Sequence, residues 1–181
     1  MTIERLTTKH KSRRTVKPEW IIVHYTGCLA PPCLTCDAMA ADEKSKASTH
    51  YIILGKDIVH CVDETKYYAW HCATSGKKTF CAANNRNSIG VDLIPRKLNA
   101  KSLKVTDKDW YFGEQTMQTA AALISELMTK FDIDIDHVVR HYDVTHKRCP
   151  RPFCGDDMNE IWGVCGNAKW IRFKHMIMEM K

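Results

Sequence analysis

The stretch Trp20–Tyr25, with the sequence WIIVHY, is the clearest fold signal in the chain. It is a short apolar run rich in β-branched side chains, which is typical of a buried strand. The run ends at Thr26, and a segment rich in cysteine and proline, predicted to be a loop, follows from Cys28 to Cys36. His24 therefore lies near the end of a buried strand, at its boundary with a loop.

Patterns on either side of this strand predict the other elements of the fold. Alternating and apolar runs predict strands at His50–Leu54, Ile58–Val62, Ser88–Ile94 and Val138–Tyr142. The first two are separated by Gly55, Lys56 and Asp57, which predicts a hairpin. Helical periodicity predicts helices at Glu114–Phe131 and Ala168–Met180. A short helix is also expected at Asp37–Lys46, with Asp37 as its N-cap. This order of elements favours an α/β or α+β sheet covered by helices.

Composition places the chain among single soluble domains. It has 181 residues, of which 44% are hydrophobic and 27% are charged, and this excludes disordered, collagenous and coiled-coil classes. The longest apolar runs fall far short of the roughly 20 residues of a membrane span. The basic segment Met1–Lys17 is not followed by an apolar segment, so we expect no secretory signal and synthesis in a cytoplasm.

The net charge of +6 favours an anionic partner, such as an acidic cell-wall polymer, a membrane surface or a nucleic acid. Nucleic acid is disfavoured because the sequence does not interleave aromatic and basic residues. The basic cluster formed by Lys9, Lys11, Arg13 and Arg14 is interpreted as a solvated arm.

Nine cysteines cannot all pair within one chain, which favours thiols or metal ligands over a pure disulfide framework. The pair Cys33 and Cys36 forms the one CxxC motif. It could form a second metal site with Cys28, Cys72 or Cys81, a disulfide, a redox pair, or simply reduced thiols.

His24, His141 and Cys149 together suggest a metal site. Two imidazoles and one thiolate leave a tetrahedral zinc ion with one open position, which is the pattern of a catalytic site. Taken singly, each residue also fits a hydrogen-bonded core histidine or a small buried cysteine. His146 is the alternative third ligand, whereas His50 is expected to pack or to form hydrogen bonds.

Five short sequence blocks occur in an order that resembles one known family. The blocks are Ile22–Thr26 (IVHYT), Ser48–Ile53 (STHYII), Ala69–His71 (AWH), Asn87–Asp92 (NSIGVD), and Arg140–Asp143 (RHYD) with Lys147–Pro150 (KRCP). Together they resemble the zinc-dependent N-acetylmuramoyl-L-alanine amidases of the type 2 amidase and peptidoglycan-recognition-protein superfamily, over Trp20 to Phe153. The resemblance implies a central mixed sheet flanked by helices. We expect a single domain over residues 1–181, in which residues 1–17 form a basic arm, and no separate wall-binding domain.

The resemblance also implies a role for each site residue. His24, His141 and Cys149 match the three zinc ligands, and Lys147 matches a cation that stabilises the oxyanion. Asp92 stands where many bacterial members have a glutamate as general base; the alternative is a strand-end charge paired with Arg96 or Lys97. His71 and Thr49 are assigned to the substrate groove. Thr49 replaces the tyrosine of T7-like members, which together with Asp92 fits the bacterial branch better. The segment Lys97–Gly113, with its aromatic residues, is expected to form a groove wall or else a surface loop pinned by those residues.

The activity implied is hydrolysis of the amide bond between N-acetylmuramic acid and L-alanine in peptidoglycan, by a phage or prophage endolysin that acts at the cell wall. Two alternatives are a muropeptide-binding protein without catalysis and a cytoplasmic amidase that recycles soluble muropeptides. Recognition members typically lack the cysteine ligand, so the presence of Cys149 favours an enzyme.

Overall fold

A six-stranded mixed sheet forms the centre of the fold. The structure, a computed structural model, describes residues 2–73, 79–159 and 161–180. In chain order the strands of this sheet are β1 (Thr2–Glu4), β3 (Trp20–Tyr25), β4 (Tyr51–Leu54), β5 (Asp57–His60), β7 (Ser88–Leu93) and β10 (Val138–Arg140). They lie in the order β1-β5-β4-β7-β3-β10, and only the β4–β5 hairpin is antiparallel. The expected mixed sheet is therefore confirmed.

Two small antiparallel sheets, four α-helices and three short 3-10 helices complete the described elements; the 3-10 helices are Asn85–Asn87, Ile135–His137 and Arg151–Phe153. One small sheet joins β2 (Lys11–Arg13) to β6 (Tyr67–Ala69), and the other joins β8 (Arg96–Lys97) to β9 (Trp110–Tyr111). The helices are α1 (Pro32–Ala41), α2 (Glu114–Phe131), α3 (His141–Thr145) and α4 (Gly166–Glu179). None of the helices in the described part of the chain combines the length and apolar character that a membrane span requires.

The sequence of β7, SIGVDL, places apolar side chains on one face of the sheet and small or polar side chains on the other. Side chains alternate between the two faces of a strand. Ile89, Val91 and Leu93 belong to the main core, together with residues of α2 and α4. The alternate residues of β7 are small or polar, which leaves room for functional side chains on the opposite face.

Strand β3 and helix α2 have the predicted bounds, whereas α1 was predicted wrongly. The segment Cys28–Cys36 was expected to be a loop, with a helix over Asp37–Lys46, but the helix begins at Pro32 and ends at Ala41. Proline is favoured in the first turn of a helix because its fixed φ fits the helix and its missing N–H is not needed there. The two prolines at positions 31 and 32 thus mark a helix start.

Three further expectations require correction. The basic segment is not a solvated arm: β1 and β2 pair with other strands, and the Arg14 guanidinium donates hydrogen bonds to the carbonyl oxygens of Glu64, Arg86 and Ser88. The closing helix was expected over Ala168–Met180, but α4 begins at Gly166 and ends at Glu179, and Met180 beyond it is 41% exposed.

The third correction concerns the segment Lys97–Gly113. Its aromatic residues Trp110 and Phe112 are buried in the protein, and Lys97 forms ion pairs with Asp107 and Asp109. These contacts favour the alternative, a surface loop pinned by its aromatic residues.

A buried ion-pair cluster at Glu64 gives a prediction about stability. The carboxylate is 2% exposed and lies 2.9 Å from His60 Nε2 and 2.8 Å from Lys130 Nζ. Burial opposes its charge, but the hydrogen bonds from His60 and Lys130 outweigh burial and hold the pKa of Glu64 well below its usual range. The native state therefore binds a proton at Glu64 less readily than the unfolded chain does.

We expect Glu64→Gln to lower the free energy of unfolding by about 1–3 kcal/mol at pH 6. This difference should shrink as the pH falls below about 4.5, the ordinary pKa of the group, because the unfolded wild type then takes up a proton that its native state does not bind, and this stabilises the unfolded state. Urea denaturation from pH 3 to pH 7 measures it, with the exposed Glu179→Gln as the control. A difference that is constant over this pH range would contradict the prediction.

Candidate metal centre and its cavity

The candidate site lies where neighbouring parallel strands reach their carboxyl ends. His24 is the fifth residue of β3, and Asp92 is the fifth residue of β7, directly opposite it in the register. His141 follows the last residue of β10 and begins α3. In α/β sheets, ligands bind at this edge because the loops that follow the strands converge there.

Local hydrogen bonds fix the position of His141 and Cys149. The backbone N–H of Arg140 donates to the Asp143 carboxylate, and the Arg140 guanidinium reaches the same carboxylate at 2.7 Å. These contacts hold the first turn of α3. The loop after α3 returns to its start, where the N–H of Tyr142 donates to the carbonyl oxygen of Cys149 at 2.8 Å. Cys149 is thereby brought next to His141.

Three buried donor atoms converge in this site. His24 Nδ1 lies 3.1 Å from His141 Nδ1 and 3.7 Å from Cys149 Sγ, and all three donor atoms lie within 4.8 Å of one another. Burial lowers the pKa of His24, and burial with the nearby charge of Lys147 lowers that of His141 to about 4. Both imidazoles are therefore neutral at pH 7, as metal ligands must be.

The other candidate ligands lie outside this cluster. His146 is exposed and stacks on Phe80, and His50 is fully buried and accepts a hydrogen bond from the N–H of Gly90. The cluster of His24, His141 and Cys149 is the one potential metal group within residues 2–73, 79–159 and 161–180. The CxxC motif is therefore not part of a second such group, and all nine cysteines are free thiols.

Asp92 is a buried carboxyl group beside this cluster. It is 7% exposed, and its Oδ1 atom has no hydrogen-bond partner among the described residues. Burial raises the pKa of Asp92 to about 7, against the opposing effects of the nearby Thr49 hydroxyl and the Lys147 charge. Lys97 pairs with two other aspartates, so the alternative of an Asp92–Lys97 ion pair is wrong.

These side chains surround one cavity of about 510 Å³. One side is formed by the site residues predicted from the sequence: His24, His71, Asp92, His141, Lys147 and Cys149. Thr49 is buried behind them near Gly90, and its hydroxyl has no hydrogen-bond partner in the described part of the chain. The lining also includes Leu34, Ala38 and Met39 of α1. The sequence analysis assigned none of them to the site: Leu34 fell in the predicted loop, and Ala38 and Met39 fell in the predicted helix without a chemical signal.

Gly90 gives a prediction about this side of the sheet. A Cβ atom at Gly90 would lie 2.8 Å from His71 Cγ and 2.9 Å from Thr49 Oγ1, closer than real Cβ atoms approach. We expect Gly90→Ala to lower the free energy of unfolding by about 1–3 kcal/mol, because the central strand and its neighbours are overpacked. Urea denaturation measures the loss. Gly113→Ala is the control, since its nearest neighbours are atoms of the Arg96 side chain at 3.4 Å and beyond, and equal losses would contradict the argument.

Comparisons with known proteins agree with this geometry. The family model for N-acetylmuramoyl-L-alanine amidase matches residues 14–152. The amidase CwlL of Bacillus licheniformis is 29% identical over 147 residues, covering 75% of this chain and 37% of that protein. The amidase BlyA of Bacillus subtilis is 31% identical over 135 residues, covering 72% of this chain and 33% of its own length. The chain thus spans about a third of the length of these curated relatives.

A solved structure described as a mutant endolysin from Bacillus subtilis has the same fold. It superposes with a TM-score of 0.71 at 22% identity and covers 98% of both chains. The fold expected from the sequence is therefore confirmed, and the family match covers the strands that carry the site. The chain belongs to the N-acetylmuramoyl-L-alanine amidase family.

Proposed function

We propose that the protein is a zinc-dependent amidase that cleaves the bond between the lactyl carboxyl of N-acetylmuramic acid and L-alanine in peptidoglycan. The observation that carries this proposal is the convergence of His24, His141 and Cys149 with Asp92 and Lys147 around one cavity. The curated relatives named above are amidases of this specificity by name, which supports the same substrate here.

The donor set fits zinc. Zn–N bonds of about 2.0–2.1 Å and Zn–S bonds of about 2.3 Å at tetrahedral angles separate two nitrogens by about 3.3 Å, and a nitrogen from a sulfur by about 3.6 Å. The separations of 3.1 and 3.7 Å are close to these values. Burial raises the pKa of the Cys149 thiol, so a bound cation is what would favour its thiolate form.

A zinc ion held by His24, His141 and Cys149 would polarise the carbonyl group of the substrate and lower the pKa of a water molecule. Asp92 is placed to accept a proton from the attacking water on its carboxylate and to return it to the leaving amine of L-alanine. A pKa near 7 suits both halves of this cycle, because the group can be charged in one step and neutral in the next. Lys147 is placed to stabilise the negative charge that develops on the carbonyl oxygen.

Acidic polymers of the bacterial wall suit the net charge of +6, and we place the action of the enzyme at the wall, as an endolysin. Mass spectrometry of digested peptidoglycan, with and without a metal chelator, tests the proposal. We expect stem peptides with free L-alanine amino termini, intact glycan strands, and loss of cleavage on chelation.

Two outcomes of this experiment would overturn the proposal in part or in whole. Cleavage of soluble muropeptides but not of intact peptidoglycan would indicate a recycling amidase. No cleavage of either substrate by the zinc-loaded protein would indicate a binding protein.

Lys147→Ala is expected to lower kcat by about 10²–10³-fold with a small change in KM, because its charge would act mainly on the transition state. Steady-state kinetics on a soluble muropeptide measure both constants. Arg148→Ala is the matched control, since it removes the same charge one residue away and lies outside the lining of the cavity. An unchanged kcat in Lys147→Ala would remove this residue from the mechanism.

A further inference from the structure

A chain of hydrogen bonds runs from His24 into the protein. His24 Nε2 lies 2.9 Å from His71 Nδ1, and His71 Nε2 lies 3.2 Å from Ser88 Oγ. The Ser88 hydroxyl in turn donates to the carbonyl oxygen of Asn84 at 2.5 Å. Both ring nitrogens of His71 are therefore engaged within the protein, although the ring lines the cavity.

The end of this chain fixes the direction of every hydrogen bond in it. A backbone carbonyl can only accept, so the Ser88 hydroxyl uses its single proton on Asn84. Ser88 Oγ must then accept from His71, which places the proton of the neutral imidazole on Nε2 and leaves Nδ1 as an acceptor. His71 Nδ1 consequently accepts from the Nε2–H of His24. The lone pair of neutral His24 is thus on Nδ1, the atom that faces His141 and Cys149.

Contacts of the His71 backbone and ring hold this residue in place. The backbone N–H of His71 donates to the side-chain oxygen of Asn85 at 3.1 Å, in the turn that begins at Asn84. Gly90 lies beneath the ring, and any larger residue there would displace it. Ser88 and Gly90 lie two apart on β7 and so share the same face of the sheet. The segment from Asn84 to Gly90 therefore contributes three things: the Ser88 hydroxyl that accepts from His71, the Asn85 oxygen that binds its backbone N–H, and the space above Gly90 that its ring occupies.

We infer that His71 is a positioning residue that acts through His24, holding it in the tautomer whose Nδ1 can bind the metal ion. This inference rests on the proposed function, because it assigns His24 to a zinc site. The partners most often found behind a metal-bound histidine are carboxylates, carbonyl groups or water. Here the partner is a neutral imidazole, which fixes the ring without adding negative charge behind the metal centre.

Two variants of nearly equal size at position 71 separate this role from packing. His71→Asn retains an oxygen acceptor near the position of Nδ1, whereas His71→Leu removes it. We expect His71→Leu to weaken zinc binding about 10–100-fold, His71→Asn to restore much of the affinity, and Ser88→Ala to weaken binding by a smaller factor. Competition with a chromophoric chelator measures zinc affinity without any assay of activity. Equal affinity of His71→Leu and the wild type would overturn the inference, as would weaker binding by His71→Asn than by His71→Leu.

The tautomer itself can be observed in the metal-free protein by ¹⁵N NMR of the histidine rings. We expect His71 to be protonated at Nε2 and unprotonated at Nδ1. The opposite tautomer would refute the inferred direction of the hydrogen bonds. Absence of zinc binding by the wild type would instead refute the proposed metal centre. The tautomer of His71 would then still show whether the chain of hydrogen bonds has the inferred direction. Failure of the inference and failure of the proposed function are therefore distinguishable.

Discussion

Replacing Cys149 with serine is expected to abolish measurable hydrolysis of peptidoglycan. The substitution keeps the size of the side chain but removes the thiolate, which is the softest of the three donors and the one that carries negative charge. Only His24 and His141 would then remain to hold the metal, and zinc should be lost on dialysis. Metal analysis by mass spectrometry and release of stem peptides measure the two effects on the same sample.

The control for this experiment is Cys165→Ser. The Cys165 sulfur accepts a hydrogen bond from the N–H of Ala168 at the start of α4, a contact that a serine hydroxyl can also make. This variant should keep both zinc and activity. Full turnover by a zinc-free Cys149→Ser protein would contradict the metal mechanism, whereas loss of folding would be visible in its circular dichroism spectrum.

Asp92→Asn is expected to lower kcat by about 10²–10⁴-fold while zinc content is unchanged. The amide has the same shape as the carboxyl group but cannot take a proton from water. The Oδ1 atom makes no hydrogen bond to the described residues, so the substitution breaks no such contact at that atom.

Asp92→Glu tests the reach of the carboxyl group. Glutamate adds one methylene, and its carboxylate can still exchange a proton, so partial activity is expected where the amide has almost none. Single-turnover kinetics on a soluble muropeptide compare the three proteins. Turnover by Asp92→Asn at the rate of the wild type would assign the proton transfer to another group.

The elements predicted with correct bounds are those in which apolar residues recur at a regular spacing over a short stretch of chain. Strand β3 and helix α2 have the predicted bounds because their apolar spacing matches one secondary structure and its burial. Helix α1 was missed over its first turn because two prolines among cysteines also resemble a loop. For Trp110 the sequence left a groove wall and a pinned surface loop as alternatives, and the contacts of its indole N–H with the Lys104 carbonyl and of its ring with Tyr25 favour the loop.

The candidate site was predictable to a different extent. Its three donors could be named from five ordered sequence blocks, and the structure brings these donors together. The hydrogen bond between His71 and Ser88 could not be predicted, because 17 residues separate them. Which of the two donates depends on a third group, the carbonyl oxygen of Asn84. Arg14 is a similar case: a basic cluster in sequence does not show that one guanidinium is bound to three carbonyl groups.

The division of the cavity between sheet and helix has a consequence for the evolution of specificity. The reactive groups are carried by the sheet, by α3 and by the loop after α3, whereas Leu34, Ala38 and Met39 are carried by a separate helix that supplies no metal donor. For the proposed amidase, changes in this helix can therefore alter which peptide or sugar is accepted while the reactive groups stay the same. A library randomised at these three positions, assayed on muropeptides of different stem peptides, tests this division.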